Sequence, residues 1–187
     1  MPLRKSRVEE ANPASVLPDA RQRNAGKLAR MTNFSIRRAT LDDLDAVTPL
    51  FDAYRRFYQQ PGDLPRARAF LHERIERGQS MVLIAERDGA AVGFAQLYPM
   101  FSSVRTASIW ILNDLYVAEG ARRSGVAQRL LHAAAVAAKA VGAARIMLET
   151  GRSNAPARAL YREAGWAEDD SQWYSLSLAD PASVQPT

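Results

Sequence analysis

The elements predicted along this chain run β-α-α-β-β-β-α-β-α-β, an α/β fold in a single domain whose mixed sheet combines an antiparallel meander with one parallel crossover. Three observations predict it. Asp88-Gly89 joins two apolar runs and is a strong hairpin signal. The apolar run from Trp110 to Val117 breaks at Glu119-Gly120 and restarts as a helix after Arg122-Arg123-Ser124-Gly125. The apolar run from Arg145 to Thr150 is reached through that helix, so it should lie parallel to the strand before it in a right-handed crossover.

Taken in order, residues 34–39 alternate apolar and polar and predict the first strand. Thr40 with Asp43 three residues on has the form of a capping box, and Asp42, Asp43 and Asp45 suit the positive end of a helix better than a metal, since no calcium-loop glycine follows in register. Leu44, Val47, Leu50, Phe51, Tyr54, Phe57 and Tyr58 recur at three- and four-residue steps, which gives an amphipathic helix to about Gln60. Leu64-Pro65 starts a second helix, with Phe70, Leu71 and Ile75 as its apolar stripe, that stops at Gly78. Strands follow over 81–85 and 92–98, an interruption is expected at Pro99 to Ser103, and a long strand runs from Ala107 to Val117. Val126, Leu130, Ala134, Ala137 and Val141 face one way on the next helix, which Gly142 closes, while His132 belongs to its wet stripe. Asn154 caps a last helix that tolerates Pro156 in its first turn and ends at Gly165. Gln172 to Leu178 alternates and is expected to be the final strand, before a polar tail.

Composition narrows the function. The 187 residues are 47% apolar, enough for one core. There is no cysteine, which excludes disulfide scaffolds, thiolate nucleophiles and cysteine-ligated metal sites. The apolar run Ala133 to Ala138 is far too short for a membrane span, and no apolar stretch follows the N-terminal basic residues, so a cytoplasmic protein without a membrane partner is expected. Residues 1–30 hold seven Lys and Arg against three carboxylates, and most of the net charge of +5 sits there. Their prolines and lack of apolar periodicity predict a disordered basic extension, ahead of a folded domain over 31–180 and a tail over 181–187.

The strand, small-residue loop and helix start at 110–131 form an arrangement that binds pyrophosphate, because the first turn of a helix has unpaired N–H groups and a partial positive charge. Successive N–H groups of Arg122, Arg123, Ser124, Gly125, Val126 and Ala127 converge on phosphate oxygens if the backbone approaches closely, which Gly125 and Ala127 permit. Arg122 and Arg123 add positive charge. Asn154 and Tyr161 are seven residues apart, about 10 Å along a helix axis and on one side of it, a face suited to an elongated ligand.

From Phe34 to Leu178 the chain resembles the GNAT family of N-acetyltransferases. Leu112-Asn113-Asp114-Leu115-Tyr116-Val117 is similar to that family's fourth strand, Arg122 to Ala127 to its Arg-x-x-Gly-x-Gly/Ala loop, and Asn154, Leu160-Tyr161 and Ala164-Gly165-Trp166 to its last helix and the turn after it. The resemblance implies a GNAT-type sheet and direct transfer of an acetyl group from acetyl-CoA, as cosubstrate and without a metal, to a primary amine. It further implies that the backbone of Leu115, Tyr116 and Val117 holds the cosubstrate and polarises its thioester, that Asn154 contacts the pantetheine arm, and that Tyr161 protonates the departing thiolate.

An aliphatic amine is mostly protonated at neutral pH, so a base is needed. Where the polyamine acetyltransferases of this family carry a glutamate, this chain has Asn113, which cannot remove a proton. Asp114, placed by alternation on the opposite strand face, is the candidate catalytic partner of Tyr161, with Glu149, Tyr116 and a relayed water as alternatives. Segments Tyr98 to Ser103 and Tyr54 to Gln60 resemble histone- and polyamine-type members, and the acceptor stays open among small amines, amino acids and protein lysines. Asp52, Asp63 and Glu73 are the residues that would make an acidic polyamine pocket. A homodimer is open, with Trp110, Trp166 and Trp173 serving either core or interface. Two other functions compete: a catalytically silent acetyl-CoA-binding protein, consistent with Asn113, and a nucleic-acid-associated module using the basic arm, which the lack of interleaved aromatic residues disfavours.

Overall fold

The computed structural model describes residues 34–178. The predicted basic extension and C-terminal tail lie outside the described residues. Five strands form one open sheet in chain order: β1 (Phe34–Arg38), β2 (Met81–Arg87), β3 (Ala90–Ser102), β4 (Ala107–Val117) and β5 (Arg145–Leu148). The first four pair antiparallel and β5 pairs parallel to β4, as the meander and crossover predict. Four helices complete the fold: α1 (Leu44–Phe57), α2 (Leu64–Glu76), α3 (Val126–Ala140) and α4 (Ala155–Glu163).

Local chemistry explains most boundaries. The Thr40 N–H donates to Asp43 Oδ2 at 2.8 Å in the predicted capping box, and a tight 3-10 turn over Leu41–Asp43 leads into α1. Arg37 grips Asp43 and Glu86 together, at 2.6 and 2.7 Å, and its hydrogen bonds hold both carboxyls below the usual range. Asp43 is therefore a cap and an ion-pair partner. Asp63 caps α2 by accepting from the Arg66 N–H at 2.9 Å, and Pro65 sits in the first turn, where its missing N–H costs nothing. Asp88 and Gly89 both have positive φ, the two-residue turn that matches strand twist.

The sheet is covered on both faces. On one, Leu83, Ala95, Leu97 and Leu112 pack with Val126, Leu130 and Ala134 of α3; on the other, Val82, Ile84 and Phe94 pack with Val47, Phe51 and Leu71 of α1 and α2. Full burial of a residue such as Leu130 or Leu71 is worth about 1.5–3 kcal/mol. On α3 the buried positions are Val126, Leu130, Leu131, Ala134 and Ala138, whereas Val141, expected on that face, is exposed beyond the helix end.

Two expectations are corrected. Pro99 to Ser103 does not interrupt β3, which continues to Ser102 with Pro99 opposite Trp110. The β2 ladder begins at Met81 opposite Leu97, so the edge of β3 at Pro99 has no β2 partner and the missing N–H breaks no bond. Gln172 to Leu178 is not a strand: it is irregular, and Trp173, Tyr174, Leu176 and Leu178 are exposed. Alternation says which residues would share a face, but a strand also needs a partner edge, and β5 extends over only four residues. A cleft of about 610 Å³ separates β5 from residues 166–174.

A Cβ placed on Gly93 would lie 2.8 Å from the Tyr116 carbonyl oxygen and 3.4 Å from both Leu130 and Val126. Gly93→Ala should therefore destabilise the domain by about 1–3 kcal/mol through overpacking, measured as a lower urea midpoint at unchanged slope.

Candidate active site

The centre of the site is a break in register on β4. Gln96 pairs with Asp114 but Leu97 pairs with Leu112, so Asn113 is an extra residue on β4 with no partner of its own. Trp110 and Leu112 before this bulge, and Leu115 and Val117 after it, all pack on the α3 side, while Tyr116 packs on the α1 side. Strict alternation would have placed Leu112, Asp114 and Tyr116 on one face. The bulge resets the count, and Asn113 and Asp114 are neighbours instead of lying on opposite faces: the Asn113 Nδ2 donates to Asp114 Oδ1 at 3.1 Å. The expectation drawn from alternation is thereby overturned.

The same place ends the parallel pairing. β5 pairs with β4 from Ile109 to Leu112 and no further, so the edge of β4 from Asn113 to Val117 is paired to β3 alone. The backbone of Leu115, Tyr116 and Val117 thus lines a split between β4 and β5. Glu149 lies just past the last β4–β5 pair, exposed and on the cleft that Tyr161 also lines.

Asp114 is 5% exposed, and its burial pushes the carboxyl up to about 6, against hydrogen bonds from Tyr54 and Asn113 that favour the charged form. Tyr54 of α1 places its hydroxyl 3.5 Å from the Asn113 carbonyl oxygen and packs against Tyr58, Phe94 and Tyr116, with ring centroids 5.0, 5.9 and 6.4 Å away. Burial and the Asp114 charge raise the Tyr54 hydroxyl well above the usual range, and burial pushes Tyr98 on β3 up to about 12. Tyr161 on α4 is half-buried against Trp166, and burial, with a smaller contribution from Tyr58, raises its hydroxyl. It is held as the neutral phenol.

The loop before α3 shows how few of its side chains are free to act. Arg122 donates from Nε to the Val117 carbonyl at 3.1 Å and lies over the Tyr116 ring, tying the loop to the end of β4. Ser124 Oγ donates to the Ala121 carbonyl at 2.6 Å. Val126 is core, Ala127 is half-buried, and Gly125 is the N-cap with φ of 80°. The first helical bond of α3 runs from the Arg129 N–H to Gly125, so the N–H groups of residues 126–128 precede the helical ladder. Arg123 has φ of 58°, a left-handed conformation that favours glycine. Asn154 Oδ1 caps α4 by accepting from the Ala157 N–H at 3.3 Å.

Asp52 and Asp63 line one pocket between α1 and α2 with Arg56 and without Glu73, and all three carboxylates are engaged. Asp52 is buried, accepts from the Asp63 N–H and pairs with Arg55 and Arg56; Asp63 caps α2; Glu73 pairs with Arg74 and Arg77. Tyr54 and Tyr58 belong to the predicted apolar stripe and to the segment that resembles histone- and polyamine-type members, but the contact of Tyr54 with Asn113 was not expected. The available signal was two tyrosines at i, i+4 on that stripe, each with a polar tip that must find a partner. Trp110 and Trp166 pack on the core, and Trp173 is exposed.

The acetyltransferase (GNAT) family matches residues 47–166. The chain is 48% identical over 135 residues to an uncharacterized N-acetyltransferase, YhfO, of Bacillus subtilis (strain 168), covering 72% of this chain and 91% of that protein. It is 29% identical over 101 residues to an aminoglycoside N(6')-acetyltransferase type 1 of Klebsiella aerogenes, covering 53% of this chain and 66% of that one. A crystal structure of a probable acetyltransferase superposes with a TM-score of 0.75 at 40% identity, over 78% of this chain and 99% of that one. The chain belongs to the GNAT family of acetyltransferases and is an acyltransferase.

Two measurements check the site's energetics. An Asp with its folded pKa raised from 3.8 to about 6 contributes most to stability below pH 4 and loses that contribution as pH rises through 6. Between those limits the domain should lose roughly 3 kcal/mol from this group, and Asp114→Asn should flatten that part of the stability–pH curve. Arg123→Gly should relieve left-handed strain and raise stability by up to about 1 kcal/mol in urea unfolding, since glycine's larger unfolded-state entropy offsets part of the gain.

Proposed function

We propose that the protein transfers the acetyl group of acetyl-CoA directly to a primary amine, with Asp114 as the proton acceptor and Tyr161 as the acid for the departing thiolate. The observation that carries this reading is the bulge at Asn113, which opens β4 from β5 and turns the only strongly buried carboxylate of β4 towards a tyrosine cluster. The residues fit the cosubstrate: the unpaired N–H groups at the start of α3, with Arg123 nearby, suit a pyrophosphate, and the open β4 edge at Leu115 to Val117 suits the amides of a pantetheine arm. Asn154 and Tyr161 form the opposite wall. Arg122 contributes by fixing the loop, since its Nε is committed to Val117.

In this reading the ammonium of the acceptor loses a proton towards Asp114. The neutral nitrogen then attacks the thioester carbonyl, the N–C bond forms and the C–S bond breaks. Tyr161 gives its proton to the sulfur and recovers one from the nitrogen, so the products are an amide, free coenzyme A and one proton for solvent. Such a protein works where acetyl-CoA is made, in the cytoplasm.

One observation favours a second reading, in which the protein binds acetyl-CoA without turnover: Asn113 stands where a basic glutamate is found in part of the family, and Asp114 is buried. Thiol release over a panel of small amines, amino acids and lysine peptides separates the two. Turnover is expected with at least one acceptor, and binding of coenzyme A with no thiol release on any of them would replace the first reading by the second. In the active case, Tyr161→Phe should lower kcat by about 10²-fold with the coenzyme A Kd unchanged, and equal rates would remove its acid role.

A further inference from the structure

Gln96 of β3 is fully buried, and its amide is only half used. The Nε2 group donates to Ser80 Oγ at 2.9 Å, whereas Oε1 has no hydrogen-bond partner. A buried polar atom left unpaired is costly, so native structures seldom keep one without a use. Among the described residues the other buried side-chain atoms without a partner are the Thr48 hydroxyl and guanidinium nitrogens of Arg55 and Arg74, so Gln96 Oε1 is the one that can only accept. Gln96 pairs directly with Asp114 across the β3–β4 ladder. Direct partners of an antiparallel pair set their Cβ atoms about 4.5–5.5 Å apart on one face. Val82, the β2 partner of Gln96, and Phe94, two residues before it, both pack on the α1 side, which is also the side of Asp114. The titratable groups that face Asp114 are Tyr54 from α1 and Tyr98 from β3, both held neutral by burial, with Arg74 of α2 acting in turn on Tyr98.

We infer that Gln96 is the positioning residue for the Asp114 proton: when that carboxyl is protonated its O–H donates to Gln96 Oε1, and Ser80 holds the amide turned to accept it. A carboxylate has no hydrogen to offer this oxygen, and a carboxylic acid has one. Ser80 is itself fixed, since it is 3% exposed and its N–H donates to the Arg74 carbonyl oxygen at 3.3 Å, in the last turn of α2. The bonds thus run from the end of α2 through Ser80 and Gln96 to the carboxyl. A hydrogen bond made only by the neutral acid raises its affinity for a proton, and so adds to the effect of burial. Asn113, which donates to Asp114 Oδ1, acts the other way. The opposite amide orientation, with Nε2 turned to Asp114 and the Ser80 hydroxyl donating to Oε1, would favour the carboxylate. The two orientations therefore predict shifts of opposite sign. The catalytic consequence rests on the reading of Asp114 as proton acceptor, whereas the hydrogen bond itself does not.

The test uses the full chain and two readouts. One is the pH titration of the Asp114 side-chain carboxyl resonance in carbon NMR, identified by its loss in Asp114→Asn; the other is the acid limb of kcat/KM for the best acceptor from the thiol-release panel. Gln96→Met keeps the length of the side chain and removes the acceptor. Ser80→Ala removes the anchor and frees Nε2 to turn towards the carboxylate, and this small change should fold even if the Gln96 variant does not. In both, the Asp114 midpoint should fall by about one pH unit, a tenfold loss of proton affinity, and the acid limb should move with it at an unchanged coenzyme A Kd. A merely structural role would leave the midpoint in place. An unchanged or raised midpoint overturns the assignment. A midpoint that falls while the limb stays overturns Asp114 as the proton acceptor, and absence of wild-type turnover on every amine overturns acetyltransfer; in both cases the fall itself upholds the hydrogen bond.

Discussion

The slip of one residue between β3 and β4 at Asn113 is the constraint on which the rest of the site depends. An inserted residue costs the ladder a pairing and bends the strand, and here it does two things at once. It reverses the facing of β4, so that Leu115 and Val117 stay on the α3 core while Asp114 turns to α1. It also coincides with the last pair between β4 and β5, leaving the backbone beyond Leu112 without a β5 partner. Gly93 supports the arrangement from behind, where only a hydrogen allows β3 to meet Tyr116 at this distance. The exposed segment with Trp173 and Tyr174 after α4 lines the cleft beside β5, which ends after four residues.

The electrostatics follow from that geometry. Asp114 is removed from water and supplied with only two donors, so the balance moves towards the neutral acid and its titration falls within the range a proton acceptor needs. Asp43, by contrast, meets both guanidinium nitrogens of Arg37 and is held charged. The two carboxylates differ through their partners and their access to water. Asp52 shows a third outcome: it is buried, but engaged by a backbone N–H and two arginines, and it fastens the turn between α1 and α2. The acidic residues that resembled an acceptor pocket are thereby spent on structure.

Much of the fold was legible because its signals are local. The hairpin at Asp88-Gly89, the caps at Thr40, Asp63 and Asn154 and the apolar stripes of α1 and α3 are each decided within a few residues. The glycine-capped start of α3 was legible for the same reason, since a helix start after a strand is written in adjacent residues. Pro99 was misread because the consequence of a missing N–H depends on where β2 begins, some twenty residues away. Gln172 to Leu178 was misread because alternation carries no information about the partner edge.

The sequence by itself determined the order of elements as far as α4, the family and the residue types at the site, since helix periodicity, turn chemistry and the loop motif are properties of short stretches. Only the tertiary structure decided that Asn113 is extra, that Asp114 is buried beside it, and that Tyr54 of α1 sets its hydroxyl against the Asn113 carbonyl. A bulge exists only relative to the strand it pairs with, and burial only relative to everything packed around a group. Neither is a property of the residues that show it.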